Sequence, residues 1–391
     1  MDGTMARTGL VGIKARWAVS ALFFCNGLLV GSWAPKLPAL MARLGIGEQV
    51  AGLIVLALGV GSICMMPVFG ALVARRGSAH AVRLAAMLAT PSLMWISLAP
   101  GPWWAAAAVL AFGGLIGAMD VAMNANAVAV ERARRRAIMS SCHGFWSLGG
   151  LAGAGAGGVA IQALGELTHA VIVTLIVAAV LALAFPLLLR DKPSADHAHA
   201  PLRLPRTPLP YLIGVMALAS MIPEGAILDW AAVYLQREMG ASLAVAGWGF
   251  AACAGTMAVM RFLGDGIRGR FGAVRTLQVS TGIAMLGLAL AALAPSPLTA
   301  IAGFALAGIG IANMVPIAFS AAGNVPGLAH GVGLSVVTTM GYSGILLAPG
   351  TIGFLAERTS FSVIYAGLSL LLLVPLLLSR LARTADFQGG G

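Results

Sequence analysis

Twelve apolar runs, each long enough to cross a bilayer, follow one another down this chain and leave it few ways to fold. They lie near 16–38, 48–74, 80–99, 103–130, 138–163 and 168–189, then near 209–236, 243–264, 274–294, 297–322, 331–356 and 360–380. A transmembrane helix needs about 20 mostly apolar residues, and in lipid each backbone polar group must be satisfied within the spanning structure. The expectation is an all-α membrane protein. Composition agrees, with 59% apolar and 9% charged residues in 391, where a soluble domain carries about 25% charged. The runs leave no room for a separate soluble catalytic domain. The first run is too long, and lacks the small-residue cleavage site, to be a removable signal peptide. Cys25, Cys64, Cys142 and Cys253 lie in or beside apolar runs without paired spacing, so neither a disulfide framework nor a zinc site is expected.

One long polar stretch interrupts the series. Arg190 to Pro208 carries Asp191, Lys192, Asp196, His197 and His199 among several prolines. It reads as a cytoplasmic linker at 190–208 between two six-helix units, 1–189 and 209–391. With the N-terminus inside, only Lys36, Arg43, Arg237 and Arg358 of the 24 Lys and Arg fall on the outer side. The positive-inside rule then places both termini in the cytoplasm of a multi-pass inner-membrane protein. The same distribution accounts for the net charge of +11 without nucleic acid, whose usual basic-patch signals are absent.

The two halves match at an offset of 195. Leu44-Gly45 falls on Met239-Gly240, Val50-Ala51-Gly52 on Val245-Ala246-Gly247, Arg75 and Gly77 on Arg270 and Gly272, Ser140 on Ser335, and Gly149 on Gly344. A shared offset of half the chain predicts two pseudo-symmetric six-helix bundles, related by an axis along the membrane normal. Parallel repeats of this kind place a substrate site at their interface near the midplane.

Twelve runs, a six-plus-six repeat, a central linker and a basic loop after the second and eighth runs resemble the major facilitator superfamily, across essentially the whole chain. The superfamily's loop signature of Gly, Asp, Arg and Gly is similar to Gly264-Asp265 with Arg268, Arg270 and Gly272. In the first half it is reduced to Gly70, Arg75, Arg76 and Gly77, with Ala74 where an Asp is usual. Within the superfamily the chain resembles the MosC-like branch of bacterial inner-membrane transporters. The similarity runs through Asp120-Val-Ala-Met-Asn124-Ala-Asn126, His143-Gly-Phe-Trp146-Ser-Leu-Gly-Gly150 and Glu224-Gly-Ala-Ile-Leu-Asp229-Trp230. The resemblance implies that the first, fourth, seventh and tenth runs line a central cavity.

Three acids fall well inside the runs: Asp120 in the fourth, and Glu224 and Asp229 in the seventh. A charge there is costly unless it faces water or a partner, so function is the default reading. Asp120 precedes Arg132 by a length of helix of roughly 18 Å, which places it near mid-bilayer, and Asn124 follows one turn later on the same face. Asp120 is the first choice for a proton-titrating or substrate-binding carboxylate, against a structural hydrogen bond to a neighbouring helix. Glu224 follows Pro223, where the missing backbone donor loosens the helix, and interrupted helices near the midplane often coordinate substrate. Asp229 lies five residues on, roughly 140° around the helix, so Glu224 is assigned to the cavity and Asp229 to an outer gate or a helix contact. Trp33 and Trp230 sit at outward ends, where an interfacial aromatic belt competes with stacking on substrate or closing the gate. Asn26 and Asn313 are mid-run amides suited to hydroxyls or amines, or to plain helix bridging. His143, nearer the cytoplasmic end, is a candidate proton relay or an interhelical hydrogen bond. His197 and His199 do not make a metal site; no metal or cofactor is expected, with the proton as coupling ion.

Two patterns look mechanical. Arg261 and Asp265 are spaced i, i+4, with Arg270 beyond, and read as a cytoplasmic latch that Arg75 and Arg76 repeat without an acid. The run Gly149-Gly-Leu-Ala-Gly153-Ala-Gly155-Ala-Gly157-Gly158 lets helix backbones approach closely. It is also similar to the superfamily's antiporter motif, with Ala154 in the proline position and Pro349 at the equivalent place in the second half. The expected function is a secondary active transporter that moves a small polar, sugar-, polyol- or amino-sugar-like solute by proton-coupled, rocker-switch alternating access. A proton-antiport exporter of drugs or metabolites is the rival, and a receptor or scaffold on a transporter fold is the alternative of another class. No His-rich or Asp-rich loop cluster suggests an enzyme, and no repeated selectivity loop suggests a channel. The expected partners are the solute and the lipid bilayer, with the protein a monomer.

Overall fold

The computed structural model describes residues 2–134, 138–191, 205–325 and 332–385, and among them it is helical with no strand. The N-terminal half comprises α1 (Asp2–Leu44), α2 (Glu48–Arg76), α3 (Ser78–Ala89), α4 (Ser92–Ser97), α5 (Pro102–Arg134), α6 (Met139–Leu164) and α7 (Glu166–Ala184). The C-terminal half comprises α8 (Leu209–Arg237), α9 (Leu243–Ala246), α10 (Trp248–Phe271), α11 (Ala273–Ala292), α12 (Pro297–Gly323), α13 (Val332–Ala356), α14 (Phe361–Leu371) and α15 (Leu373–Leu378). Among the described residues, 11 helical segments are long and apolar enough to cross a membrane. The remaining apolar run of the expected twelve is split at Pro91 into α3 and α4. Proline offers no backbone donor there, and the hydroxyls of Thr90 and Ser92 bond the Ala86 and Ala89 carbonyls around the break. Pro223, by contrast, does not interrupt its helix: α8 runs on from Leu209 to Arg237. Neighbouring helices can satisfy backbone groups freed by a membrane proline.

Because successive spans reverse direction, the molecule has two ends. The basic end carries the α2–α3, α5–α6, α10–α11 and α12–α13 connections, and the far end carries the α1–α2, α6–α7, α8–α9 and α13–α14 connections. The repeat appears in the backbone as well as in the sequence. Gly45 and Gly240 have φ of +63° and +64°, and Gly77 and Gly272 have φ of +82° and +77°. These left-handed turns favour glycine, and each pair is separated by the offset of 195. Packing repeats too. In the first half α1 packs on α6 and α2 on α5; in the second, α8 packs on α13 and α10 on α12. Across the halves α2 meets α13 and α6 meets α10, and a two-fold exchange of the halves turns each contact into the other.

The glycine run of α6 is used on two faces. A Cβ on Gly149 or Gly153 would run into the α1 backbone at Phe24 and Leu28, while Gly150 and Gly158 lie against α10 and its leading segment. Exposed side chains such as Leu183, Leu293 and Leu377 face outward, as a lipid-embedded surface requires. Trp33 and Trp230 do not stand where an aromatic belt requires them. Trp33 and Trp230 are fully buried, whereas Trp103 and Trp104 at the far end of α5 are 88% and 68% exposed. Lys36, counted among the outer charges, is buried and donates to Ser97 Oγ at 2.7 Å and to the Glu166 carbonyl at 3.1 Å.

Candidate functional site

A cavity of about 460 Å³ lies between the halves and is lined by residues of α1, α2, α5, α6, α8, α10, α12 and α13. Four helices come from each half. The resemblance implied four lining spans, and their neighbours α2, α6, α10 and α13 complete the wall. The lining brings together Asp120, Glu224, Asp229, Asn26, Asn313 and His143, which the sequence scatters over nearly 290 positions.

Each of these side chains is held differently. Asn26 donates from Nδ2 to the Ile116 carbonyl at 3.3 Å and accepts from Trp146 Nε1 at 2.9 Å. Asp120 receives the Asn124 amide at 3.1 Å, and the same amide bonds the Asp120 carbonyl at 2.9 Å. Asn124 therefore supports Asp120 from one turn away but does not itself line the cavity. His143 meets the edge of Phe23, with ring centroids 5.2 Å apart. Asn313 has a buried Nδ2 without a hydrogen-bond partner, and its Oδ1 lies where a Cβ on Gly264 would sit. Glycine at that position is what lets the amide reach the cavity.

Glu224 and Asp229 both line the cavity despite their angular separation, because it extends along the length of α8. Asp229 is also the expected helix contact: its Oδ1 accepts from Trp33 Nε1 at 3.2 Å, joining α8 to α1 across the halves. Trp230 is a correction. One residue on from Asp229, it turns away from the cavity and packs on Phe361 with centroids 5.6 Å apart, so it touches no solute space.

The larger correction concerns Arg261. Expected at a cytoplasmic latch, it lines the cavity instead, where Nη2 reaches Glu224 Oε1 at 3.3 Å and Nη1 donates to Ser147 Oγ at 2.7 Å. Its guanidinium carbon lies 5.8 Å from the centre of the Trp146 ring. The physical reason is desolvation: an arginine inside an apolar run is stable only against an acid or water, and among the described side chains the acid it pairs with is Glu224. Its position within the run 243–264 was the available signal. The rest of the proposed latch is not assembled among the described side chains. Arg75, Arg76 and Arg270 are exposed, Arg270 lies over the Phe271 ring, and the Asp265 side chain lies outside the described ones. His197 and His199 also lie outside the described residues. Tyr342, on α13, is a cavity residue that sequence reasoning missed, and it is within electrostatic reach of both Asp120 and Glu224.

Toward the far end several contacts hold the halves together. Beyond Trp33 and Asp229, Arg237 pairs with Glu48 at 2.6 Å, the Gln49 amide donates to Glu357 at 3.0 Å, and the Ala244 amide donates to Gln162 at 2.9 Å. All three cross between the halves. Toward the basic end the lining continues to Met139, the first residue of α6, and to Phe319 near the end of α12. Of the described ion pairs at the far end, Arg237–Glu48 joins the two halves, whereas Arg43–Glu166 lies within the N-terminal half.

Comparison with known proteins agrees with this architecture. The profile of the Major Facilitator Superfamily matches residues 19–221. The chain is 36% identical to an uncharacterized MFS-type transporter of Yersinia pestis over 93% of its own length and 94% of that protein. It is 32% identical to the membrane protein MosC of Rhizobium meliloti over 87% of its own length and 83% of that protein. Its fold is similar to that of a variant of the nucleoside transporter NupG, with a TM-score of 0.75 at 12% identity, covering 94% of this chain and 99% of that one.

Proposed function

The chain belongs to the major facilitator superfamily, and we propose on that premise that it is a proton-coupled secondary transporter of a small polar solute. It sits in the inner membrane with its basic end and both termini in the cytoplasm, as the charge distribution favours. The observation that carries this reading is the composition of the cavity wall. Acids, amides and an arginine converge there at the centre of an otherwise apolar protein, around a volume of about 460 Å³. A volume of that order takes a small metabolite, and the buried unpartnered Nδ2 of Asn313 is a donor awaiting an acceptor such as a sugar or polyol hydroxyl. A broad aromatic surface suited to bulky drugs would have less use for so many polar groups. Asp120 or Glu224 carries the coupling proton: either carboxyl can be loaded while the cavity faces one side and emptied while it faces the other.

A thermal-shift screen of polar metabolites on the purified protein identifies the solute, because a ligand of the folded state raises its apparent stability by mass action. Flux of that solute into proteoliposomes under a pH gradient then tests the coupling. Asp120→Asn or Glu224→Gln is expected to abolish proton-driven accumulation while the protein remains folded. Normal pH-dependent flux in both variants overturns the assignment. Proton movement opposite to the solute would make the protein an antiporter, and binding without flux would make it a receptor.

A further inference from the structure

The cavity arginine has two partners on two different helices, and they belong to opposite halves. Arg261 is carried by α10; Glu224 lies on α8 in the same half, and Ser147 lies on α6 in the other. Ser147 is fully buried and its hydroxyl is committed, donating to the His143 carbonyl at 3.2 Å while accepting from Arg261. The neighbouring Trp146 lies under the guanidinium and donates to Asn26 on α1, which in turn bonds the α5 backbone. A continuous polar chain thus runs from Glu224 through Arg261 into the wall of the N-terminal half.

We propose that Arg261 is the coupling residue of the transport cycle: by bonding Glu224 with one nitrogen and Ser147 with another, it transmits the state of the Glu224 carboxylate to the α6–α10 interface. The proposal rests on the transporter reading above and deepens it. A guanidinium presents several donors in a rigid fork, so both bonds are made at once from one plane, which a lysine ammonium on a flexible stem does not reproduce. While Glu224 is charged it holds the fork in this plane and the second arm of the fork reaches Ser147. Neutralising Glu224, by a proton or by a solute group that takes its place, removes the electrostatic partner that orients the fork. The bond across the halves weakens with it. An interaction biases a conformational equilibrium only by its difference between the two states, and a bond between halves that move relative to one another is such an interaction. Other charged or titratable groups surround Glu224. Tyr342 on α13 and Cys253 on α10 are within electrostatic reach of it, while Asp120 on α5, His143 on α6 and Asp229 on α8 itself line the same cavity. Among the described residues, Arg261 is the side chain that pairs with Glu224 and also bonds the opposite half.

A double-mutant cycle tests this without knowledge of the solute. Spin labels on cysteines placed at Leu164 and Leu293, both exposed at the far end of opposite halves, report the fraction of molecules open at that end in proteoliposomes. Ser147→Ala and Glu224→Gln are each expected to raise the open-to-closed ratio about tenfold, the worth of one charge-assisted hydrogen bond. The double variant is expected to shift it no further than either single one, because both changes break the same chain. Ser147→Thr, which keeps the hydroxyl, should shift the ratio less than Ser147→Ala does. Additive shifts approaching a hundredfold, or a Ser147→Ala distribution identical to wild type, overturn the proposal. The pH response of the unmutated protein is a separate readout. If its distance distribution ignores pH while the cycle is non-additive, the proton-coupled reading fails and the Arg261 link stands.

Discussion

Two of the helix pairs that join the halves, α2 with α13 and α6 with α10, are counterparts under the repeat, yet they are built differently. In one, α2 crosses α13 at Gly52 and Gly353; in the other, α10 and its leading segment cross α6 at Gly247 and Gly158. The offset of 195 carries Gly52 onto Gly247 and Gly158 onto Gly353. Both crossings leave no room for a side chain. A Cβ on Gly353 would lie 2.6 Å from the Glu48 carbonyl oxygen, and one on Gly158 would lie 2.5 Å from that of Leu243. Below the crossings the symmetry lapses. The described contacts of α6 with α10 continue through Gly150 against Phe250 and Ser147 against Arg261 to Phe145 against Phe262 near the basic end. Those of α2 with α13 end at Leu56 against Gly350. Among the described residues, the α6–α10 contacts run along the depth of the interface and include the charged bridge, while those of α2 with α13 lie toward the far end. The same four glycines thus bring different side chains together at the two crossings.

The strongest challenge to this comparison is to fill a crossing. Gly353→Val should prevent the far end from closing, because the clash is with backbone that cannot rotate away, and overpacking of this kind costs about 1–3 kcal/mol. A cysteine at cavity residue Val30, probed with a membrane-impermeant maleimide from the far side, should react roughly 5- to 150-fold faster in that variant, which is the same energy expressed as a ratio. Gly158→Val should act alike if the two crossings share the seal. Unchanged reactivity in either would mean that crossing does not close the cavity.

A smaller effect is expected where the interfaces differ. Phe262 packs on Phe145 with centroids 6.0 Å apart and covers Gly144, and the α2–α13 side has no described counterpart at that depth. Phe262→Ala should loosen only the basic end of α6–α10, raising hydrogen exchange of the first turns of α6 several-fold while leaving α2 unchanged. Equal effects on both helices would erase the distinction. The smallest change concerns the far-end ion pair. Arg237, whose side chain is 41% exposed, meets Glu48 in a partly solvated site, and such pairs contribute about 0–1 kcal/mol. Arg237→Ala should alter the same maleimide rate by no more than about fivefold, and by still less at high salt; a shift as large as that of Gly353→Val would show that charge, not glycine packing, closes the far end.

Much of the cavity wall was legible in the sequence. Asp120, Glu224, Asp229, Asn26, Asn313 and His143 all reach the cavity, because polar groups inside apolar runs have nowhere inexpensive to go except a shared wet space. For Arg261 the spacing to Asp265 offers a local partner, while the described partner lies 37 residues away on another helix. Trp33 and Trp230 were equally ambiguous, since a tryptophan near a helix end serves a lipid interface or a buried helix contact with the same residue type.

The division follows the range of the forces. Span number, helical state, the repeat and the polar character of the centre were determined by the sequence alone, since a backbone in lipid must bond within its own segment and that requirement is read locally along the chain. Which face of each helix turned inward was decided by tertiary structure: that Arg261 bridges Glu224 and Ser147, that Trp230 packs on Phe361, that Asn313 reaches past Gly264. Rotation of a helix about its axis leaves its own hydrogen bonds intact, so only close packing against other helices, set here by glycines that admit no Cβ, selects one rotation from the rest.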